Sequence, residues 1–180
     1  MKIITWNVNG IRAVAKKCLL EFIEKEQPDI LCVQESKAHL EQVEPKYVEP
    51  KGYKSYWSSA KRKGYSGTIT YVKVEPANID RGIGIEKYDD EGRFVVTDHG
   101  KFLLYNVYFP NGGSGQERHD FKPRIPPQFI KRERAILAAA PRHDHRRRLR
   151  LVRAHSLGSM IAHQSNREPD HDGAARCIVS

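Results

Sequence analysis

Two short apolar runs, residues 3–8 and 30–33, bracket a segment of different period, and that change of period constrains the fold more than any other feature of the chain. Between residues 11 and 25 the apolar side chains fall at Val14, Cys18, Leu19, Phe22 and Ile23, the spacing of a helix with one buried face. Pro28-Asp29 stops that helix. Further along, residues 54–58, 67–73, 93–98 and 101–109 read as strands, with β-branched and aromatic residues separated by Gly, Asp-Asp and His-Gly turns. The chain is therefore α/β and rich in strands, with no internal repeat.

An apolar content of 39% over 180 residues suits one domain with a sizeable core. No apolar stretch reaches the ~18 residues of a membrane span, and Met1-Lys2-Ile3-Ile4-Thr5-Trp6-Asn7 turns polar too soon for a signal peptide. A cytoplasmic location without a membrane partner is expected, and nothing points to an obligate protein partner. Cys18, Cys32 and Cys177 are odd in number and far apart, which fits free thiols better than a disulfide framework or a zinc site.

The formal net charge of +9 suggests a polyanionic partner, but it is unevenly placed. Residues 1–122 hold 14 Lys and 5 Arg against 17 acids, a balance of +2, whereas residues 123–180 hold 1 Lys and 11 Arg against 5 acids, a balance of +7. A basic balance supports nucleic-acid binding when a folded face displays it. Pro123-Arg124-Ile125-Pro126-Pro127 breaks any element, and the sequence beyond shows few apolar residues at a useful period. This Arg/His/Pro-rich segment reads either as a disordered basic tail or as a stretch whose reading frame has changed, putting unrelated codons in place of a C-terminal half. Residues 123–180 are expected to pack poorly against a sheet, because burying guanidinium groups without acids to pair them is costly.

Both early strands end in polar residues. Asn7 closes the first and Glu35 the second; if the strands are neighbours, an amide oxygen and a carboxylate project from one sheet edge. Oxygen donors of this kind suit Mg²⁺ or Mn²⁺, and Mg²⁺ takes one or two carboxylates and leaves its other positions to water and phosphate. Taken alone, a Glu at a strand end is more often a solvated turn residue.

Five blocks sharpen this reading. The strings TWNVNGIRA, PDILCVQESK, KGYSGTITY, GIGIEKYDDEGR and YNVYFPNG, in this order, resemble the N-terminal half of bacterial exodeoxyribonuclease III and the abasic-site endonucleases, within the endonuclease/exonuclease/phosphatase superfamily. The resemblance covers about residues 1–122. It implies half of a four-layer α/β sandwich, a mixed β-sheet with flanking helices, followed by a non-homologous basic tail at 123–180. It also implies Mg²⁺-dependent hydrolysis of DNA phosphodiesters in base-excision repair, with an abasic-site duplex as partner, and 3′-to-5′ exonuclease and 3′-phosphatase action by the same machinery.

By the same resemblance Glu35 is a direct metal ligand with Asn7 beside it, and Tyr108 is the active-site tyrosine that holds or polarises the attacked phosphate. Asn111 contacts backbone phosphate, and Lys63, Tyr65 and Ser66 lie in a loop that approaches DNA. The family's later G-D-x-N and terminal S-D-H blocks, which activate the water and complete the site, are absent from this sequence. Asp144-His145 and Asp170-His171 stand among Arg and Pro rather than at the end of an apolar strand. Catalysis is therefore expected to be impaired, and two alternatives stand: a non-catalytic basic nucleic-acid-binding remnant, and a superfamily phosphatase acting on small esters.

Overall fold

The computed structural model describes residues 1–109 and, as backbone, residues 148–153 and 160–164. Strand β1 (Lys2–Asn7) lies parallel to β2 (Ile30–Gln34), in a register running from Ile3 opposite Ile30 to Asn7 opposite Gln34. A parallel pair needs a crossover, and the amphipathic segment supplies it as α1 (Ile11–Val14), a π-helical turn (Ala15–Leu19) and α2 (Leu20–Glu26). Gln27, in the left-handed region at φ 45°, ends α2 and donates its N–H to Ile23 O at 2.9 Å.

The remaining described elements are a 3-10 turn (Leu40–Gln42), α3 (Pro45–Val48), β3 (Lys54–Ser58), β4 (Thr68–Val72), β5 (Asn78–Asp80), α4 (Glu86–Asp89), β6 (Phe94–Asp98) and β7 (Phe102–Val107), then β8 (Arg148–Arg153) and β9 (Met160–Gln164). They form a five-stranded sheet in the order β3-β4-β2-β1-β9 and a four-stranded sheet in the order β5-β6-β7-β8. The α/β class is as the sequence implies, and the expected strands appear within one or two residues of their bounds. The short β5 carries no apolar alternation and was not anticipated.

Residues past Lys122 depart from expectation at two places. Strand β8 pairs parallel with β7 and β9 pairs antiparallel with β1, so these two segments join the sheets instead of standing off them. The physical reason is visible in the sequence: Arg148-Leu149-Arg150-Leu151 alternates with the period of a half-buried strand, and each strand takes an edge position, where one neighbour suffices. The other residues between 110 and 180, including Asn111, Cys177 and both Asp-His pairs, lie outside the described residues.

Strand alternation sorts side chains into layers. Ile4, Trp6, Leu31, Val33, Ile69 and Tyr71 face the helices and pack with Ile11, Leu19 and Ile23. Ile3, Ile30, Cys32, Val72, Phe102 and Leu104 fill one end of the layer between the sheets. Burying such a side chain contributes about 1.5–3 kcal/mol. Continuing along the same inward faces, the next residues are Thr5 on β1, Gln34 on β2, Thr70 and Thr68 on β4, and Asn106 on β7, all buried. The layer is thus apolar at one end and polar at the other. Burial pushes the Cys32 thiol far up, so it stays protonated, and it is in no disulfide. Among the described residues no helix is long and apolar enough to cross a membrane.

Gly92 packs directly against the backbone of Ser58, Ser59 and Ala60. At φ +62° a Cβ there would lie 2.4 Å from Ser59 C and 2.6 Å from Ala60 N, and Thr68 Oγ1 donates to its carbonyl at 3.2 Å. Gly92→Ala therefore adds a clash with backbone to the left-handed strain of about 1–3 kcal/mol. Gly52→Ala, at φ +82° with open space around it, adds the strain alone. In urea denaturation the Gly92→Ala midpoint should fall well below that of Gly52→Ala; equal losses would mean the loops yield freely.

His99 stacks on Phe102 with ring centroids 4.9 Å apart and shares a 2.9 Å hydrogen bond with Thr97 Oγ1. Burial lowers its pKa, only partly opposed by Asp98. Because the folded pKa is depressed, its contribution is complete above the unfolded value of about 6.5 and is lost as pH falls through the folded pKa. His99→Gln should flatten the slope of stability against pH just below that value, measured by thermal melts; an unchanged slope would assign the acid limb to other groups.

Candidate active site

The polar end of the inter-sheet layer opens at the C-terminal ends of β1 and β2. Beyond the sheet the two chains stay laced: Val8 N–H donates to Gln34 O at 3.1 Å, Gly10 N–H to Glu35 O at 2.8 Å and Ile11 N–H to Ser36 O at 2.9 Å. A third segment joins, with Ser36 N–H donating to Gly67 O at 3.0 Å and Lys37 N–H to Ser66 O at 2.8 Å. Asn9, Glu35, Lys37 and Ser66 all sit at φ between 45° and 60°, a region costly for residues with a Cβ. Only a neighbourhood that over-determines the backbone keeps four such residues in place, and the lacing does so. Gly67 completes it, since a Cβ there would come within 2.2 Å of Ser36 Oγ.

This backbone presents a compact set of polar groups. The Asn7 side chain is 4% exposed, its Oδ1 accepting from Asn9 N–H at 3.2 Å. Glu35, with 13% of its side chain exposed, pairs with Lys37 Nζ at 3.1 Å, and that ammonium also donates to Asn9 Oδ1. From the other sheet Tyr108, one residue past β7, brings its hydroxyl close to the Glu35 carboxylate. Burial above all, then the negative charge of Glu35, pushes the phenol up to about 12 against the pull of Arg93. At neutral pH Tyr108 is therefore a proton-bearing donor.

Arg93 organises the flank. Only 2% exposed, it donates to Tyr65 Oη at 3.0 Å and to Tyr108 O at 3.3 Å, pairs with Glu91, and lies 5.8 Å from the Tyr65 ring and 5.2 Å from the Tyr108 ring. A guanidinium that finds an acid, a carbonyl and a hydroxyl can be buried where an unpaired one cannot. Beside the site a groove of about 730 Å³ is lined by Asn9, Gly10, Arg12, Lys16, Lys37 and Gly64, among others. Among its charged lining residues the cations Arg12, Lys16 and Lys37 outnumber the acid Glu44.

The expected residues distribute as follows. Asn7 and Glu35 stand at neighbouring ends of adjacent parallel strands, and Tyr108 reaches Glu35. Lys63 is exposed on the 61–67 loop and Tyr65 half-buried in it, whereas Ser66, expected to approach DNA, is 1% exposed with its carbonyl tied to Lys37. Ser66 points inward because the loop must close on Ser36 and Lys37. The structure adds Asn9, Gln34, Lys37, Arg93 and Asn106, which sequence reasoning did not single out. A signal existed for Asn106, an amide inside the apolar strand run of residues 102–107; none marked Arg93 as buried.

The donor set is all oxygen. Among the described residues no three His, Cys, Asp or Glu cluster as a metal site; at these strand ends Glu35 could offer a carboxylate and Asn7 a neutral oxygen. That sparse set fits a hard divalent cation that keeps water and phosphate ligands, not zinc.

Residues 4–166 match the model of the Endonuclease/Exonuclease/phosphatase family, a span that runs past Lys122 and includes β8 and β9. The chain is 42% identical over 123 residues to an exodeoxyribonuclease of Bacillus subtilis, covering 68% of this chain and 48% of that protein. A DNA-(apurinic or apyrimidinic site) endonuclease of Dictyostelium discoideum is also 42% identical over 123 residues, covering 68% and 34%. The chain thus spans half or less of the length of these relatives. Among solved structures, the catalytic domain of Xenopus laevis APE2 superposes with a TM-score of 0.66 at 30% identity, covering 77% of this chain and 55% of that one. With paired strand ends, an all-oxygen donor set and a family match over most of its length, the chain belongs to the Endonuclease/Exonuclease/phosphatase family, a divalent-metal-dependent family.

Proposed function

We propose that this chain carries the phosphate-binding and metal-binding half of a Mg²⁺-dependent DNA hydrolase that cuts the phosphodiester 5′ of abasic sites, with 3′-to-5′ exonuclease action at the same centre. One observation supports this above the others: Tyr108 from one sheet meets Glu35 from the other, next to Asn7, beside a groove rimmed by Arg12, Lys16 and Lys37. Glu35 and Asn7 would hold the cation, which when bound neutralises phosphate charge and stabilises the leaving 3′ oxygen.

The chain's own groups do the rest. Tyr108, a proton donor at neutral pH, hydrogen-bonds a non-bridging phosphate oxygen, and in a site that excludes water such a donor favours the charge that develops there. Lys37 balances Glu35 and fixes Asn9. Lys63 and Tyr65, at the loop that Arg93 braces, contact backbone phosphate and sugar, as does Asn111 of the YFPNG block. Ser66 closes that loop from within. A positioned base is missing from the sequence blocks that would carry it, and such a group contributes about 10²- to 10⁴-fold.

Incubation of the purified 180-residue chain with a duplex holding one abasic site is expected to give Mg²⁺-dependent incision roughly 10²- to 10⁴-fold slower than the Bacillus subtilis relative. Glu35→Gln should abolish that incision. Salt-sensitive DNA binding with no incision, indifferent to Glu35→Gln, would instead establish a binding remnant. Hydrolysis of small phosphate esters with DNA left intact would establish a phosphatase.

A further inference from the structure

The polar end of the inter-sheet layer is built around two fully buried carboxamides that meet across the sheets. Gln34 Nε2 on β2 donates to Asn106 Oδ1 on β7 at 2.7 Å and to Thr5 Oγ1 on β1 at 2.9 Å, while Thr5 Oγ1 donates to Gln34 Oε1 at 3.2 Å. Asn106 Nδ2 in turn donates to Ile69 O at 2.8 Å, Thr70 Oγ1 at 3.1 Å and Val33 O at 3.3 Å. One amide side chain of the second sheet is therefore bonded to two strands of the first, and both amides are 0% exposed.

We infer that the Gln34–Asn106 pair is a positioning device that fixes the two sheets in the one relative placement in which Tyr108 reaches Glu35. The reasoning is geometric. Gln34 immediately precedes Glu35, and Asn106 precedes Tyr108 by two residues, so with a strand rise of about 3.3 Å per residue the clamp lies within about 7 Å of both groups along the chain. The other end of the inter-sheet layer, from Ile3 and Ile30 to Phe102 and Leu104, is apolar. Apolar contact is non-directional and tolerates a small slide of one sheet over the other, whereas an amide pair has a narrow range of lengths and angles. Misplacement of about 1 Å at a reacting centre can cost about a hundredfold in rate. Stability alone would be served as well by apolar residues of similar shape in both places. The inference rests on the hydrolytic reading only for its kinetic arm.

The test is a double-mutant cycle. The protein is labelled with 3-fluorotyrosine, the resonance of position 108 is assigned with Tyr108→Phe, and its shift is followed on Glu35→Gln without metal or DNA. In the otherwise native chain the resonance should move, because its phenol lies in the field of that carboxylate. In Asn106→Leu the movement should fall to about half or less, as expected when two coupled sites are uncoupled. Asn106→Leu alone strands the Gln34 amide and could unfold the chain, so the deciding variant is Gln34→Met with Asn106→Leu, which removes both polar partners and should recover stability.

If the pair is a positioning device, the paired variant melts near the native temperature yet loses the fluorine response. With abasic duplex its kcat should then fall about tenfold or more, while KM stays within about threefold. A paired variant that keeps the full fluorine response overturns the inference and leaves Gln34 and Asn106 a purely structural role. If the native chain does not cut DNA at all, the proposed activity fails, but the fluorine cycle needs neither metal nor substrate and still decides the clamp.

Discussion

A buried carboxamide has to find partners, and the placement of the two sheets follows from that requirement at Gln34 and Asn106. Leaving either unmet would cost about 1–3 kcal/mol, so the sheets settle where the donors of Gln34 reach Asn106 and Thr5 and those of Asn106 reach Ile69 and Thr70. The apolar end of the same layer supplies most of the driving force for stacking, without choosing among nearby placements. Adhesion and alignment are thus supplied by different stretches of the same four strands.

Strain collects on the next residues out. Asn9, Glu35, Lys37 and Ser66 hold left-handed backbone within three segments laced by cross-chain hydrogen bonds. Such conformations persist only where surrounding contacts over-determine them, and here they turn the Glu35 carboxylate and the Lys37 ammonium onto each other and both toward the sheet edge. Arg93 performs a similar service from the second sheet, carrying one cation between two tyrosine rings and so tying the 61–67 loop to Tyr108. The candidate site is consequently a junction: one sheet contributes the oxygen donors, the other the phenol, and a buried guanidinium sets the loop between them.

Much of this was legible in advance where the signal was local. The helical spacing of Val14, Cys18, Leu19, Phe22 and Ile23 was read correctly as a helix with one buried face, and Lys54–Ser58 appears with the bounds its composition suggested. The strand-end positions of Asn7 and Glu35 were also visible, because a polar residue closing an apolar run is a local pattern. Ser66, which the resemblance placed in a loop that approaches DNA, is itself buried, because loop closure onto Ser36 and Lys37 is a contact between distant segments. The residues 148–153 were misjudged through composition, which counts arginines and ignores their alternation with Leu149 and Leu151.

By itself, then, the sequence determined the α/β class, the helix between β1 and β2, and the chemical types gathered at the strand ends, since periodicity and residue chemistry act over a few residues at a time. Tertiary structure decided which of those groups meet. Tyr108 lies 73 positions from Glu35 along the chain, and Arg93 becomes a buried brace only because Glu91, Tyr65 and the Tyr108 carbonyl converge on it. No local pattern encodes such a convergence: it depends on stacking two sheets, and the stacking is fixed by buried hydrogen bonds between residues as far apart as Gln34 and Asn106.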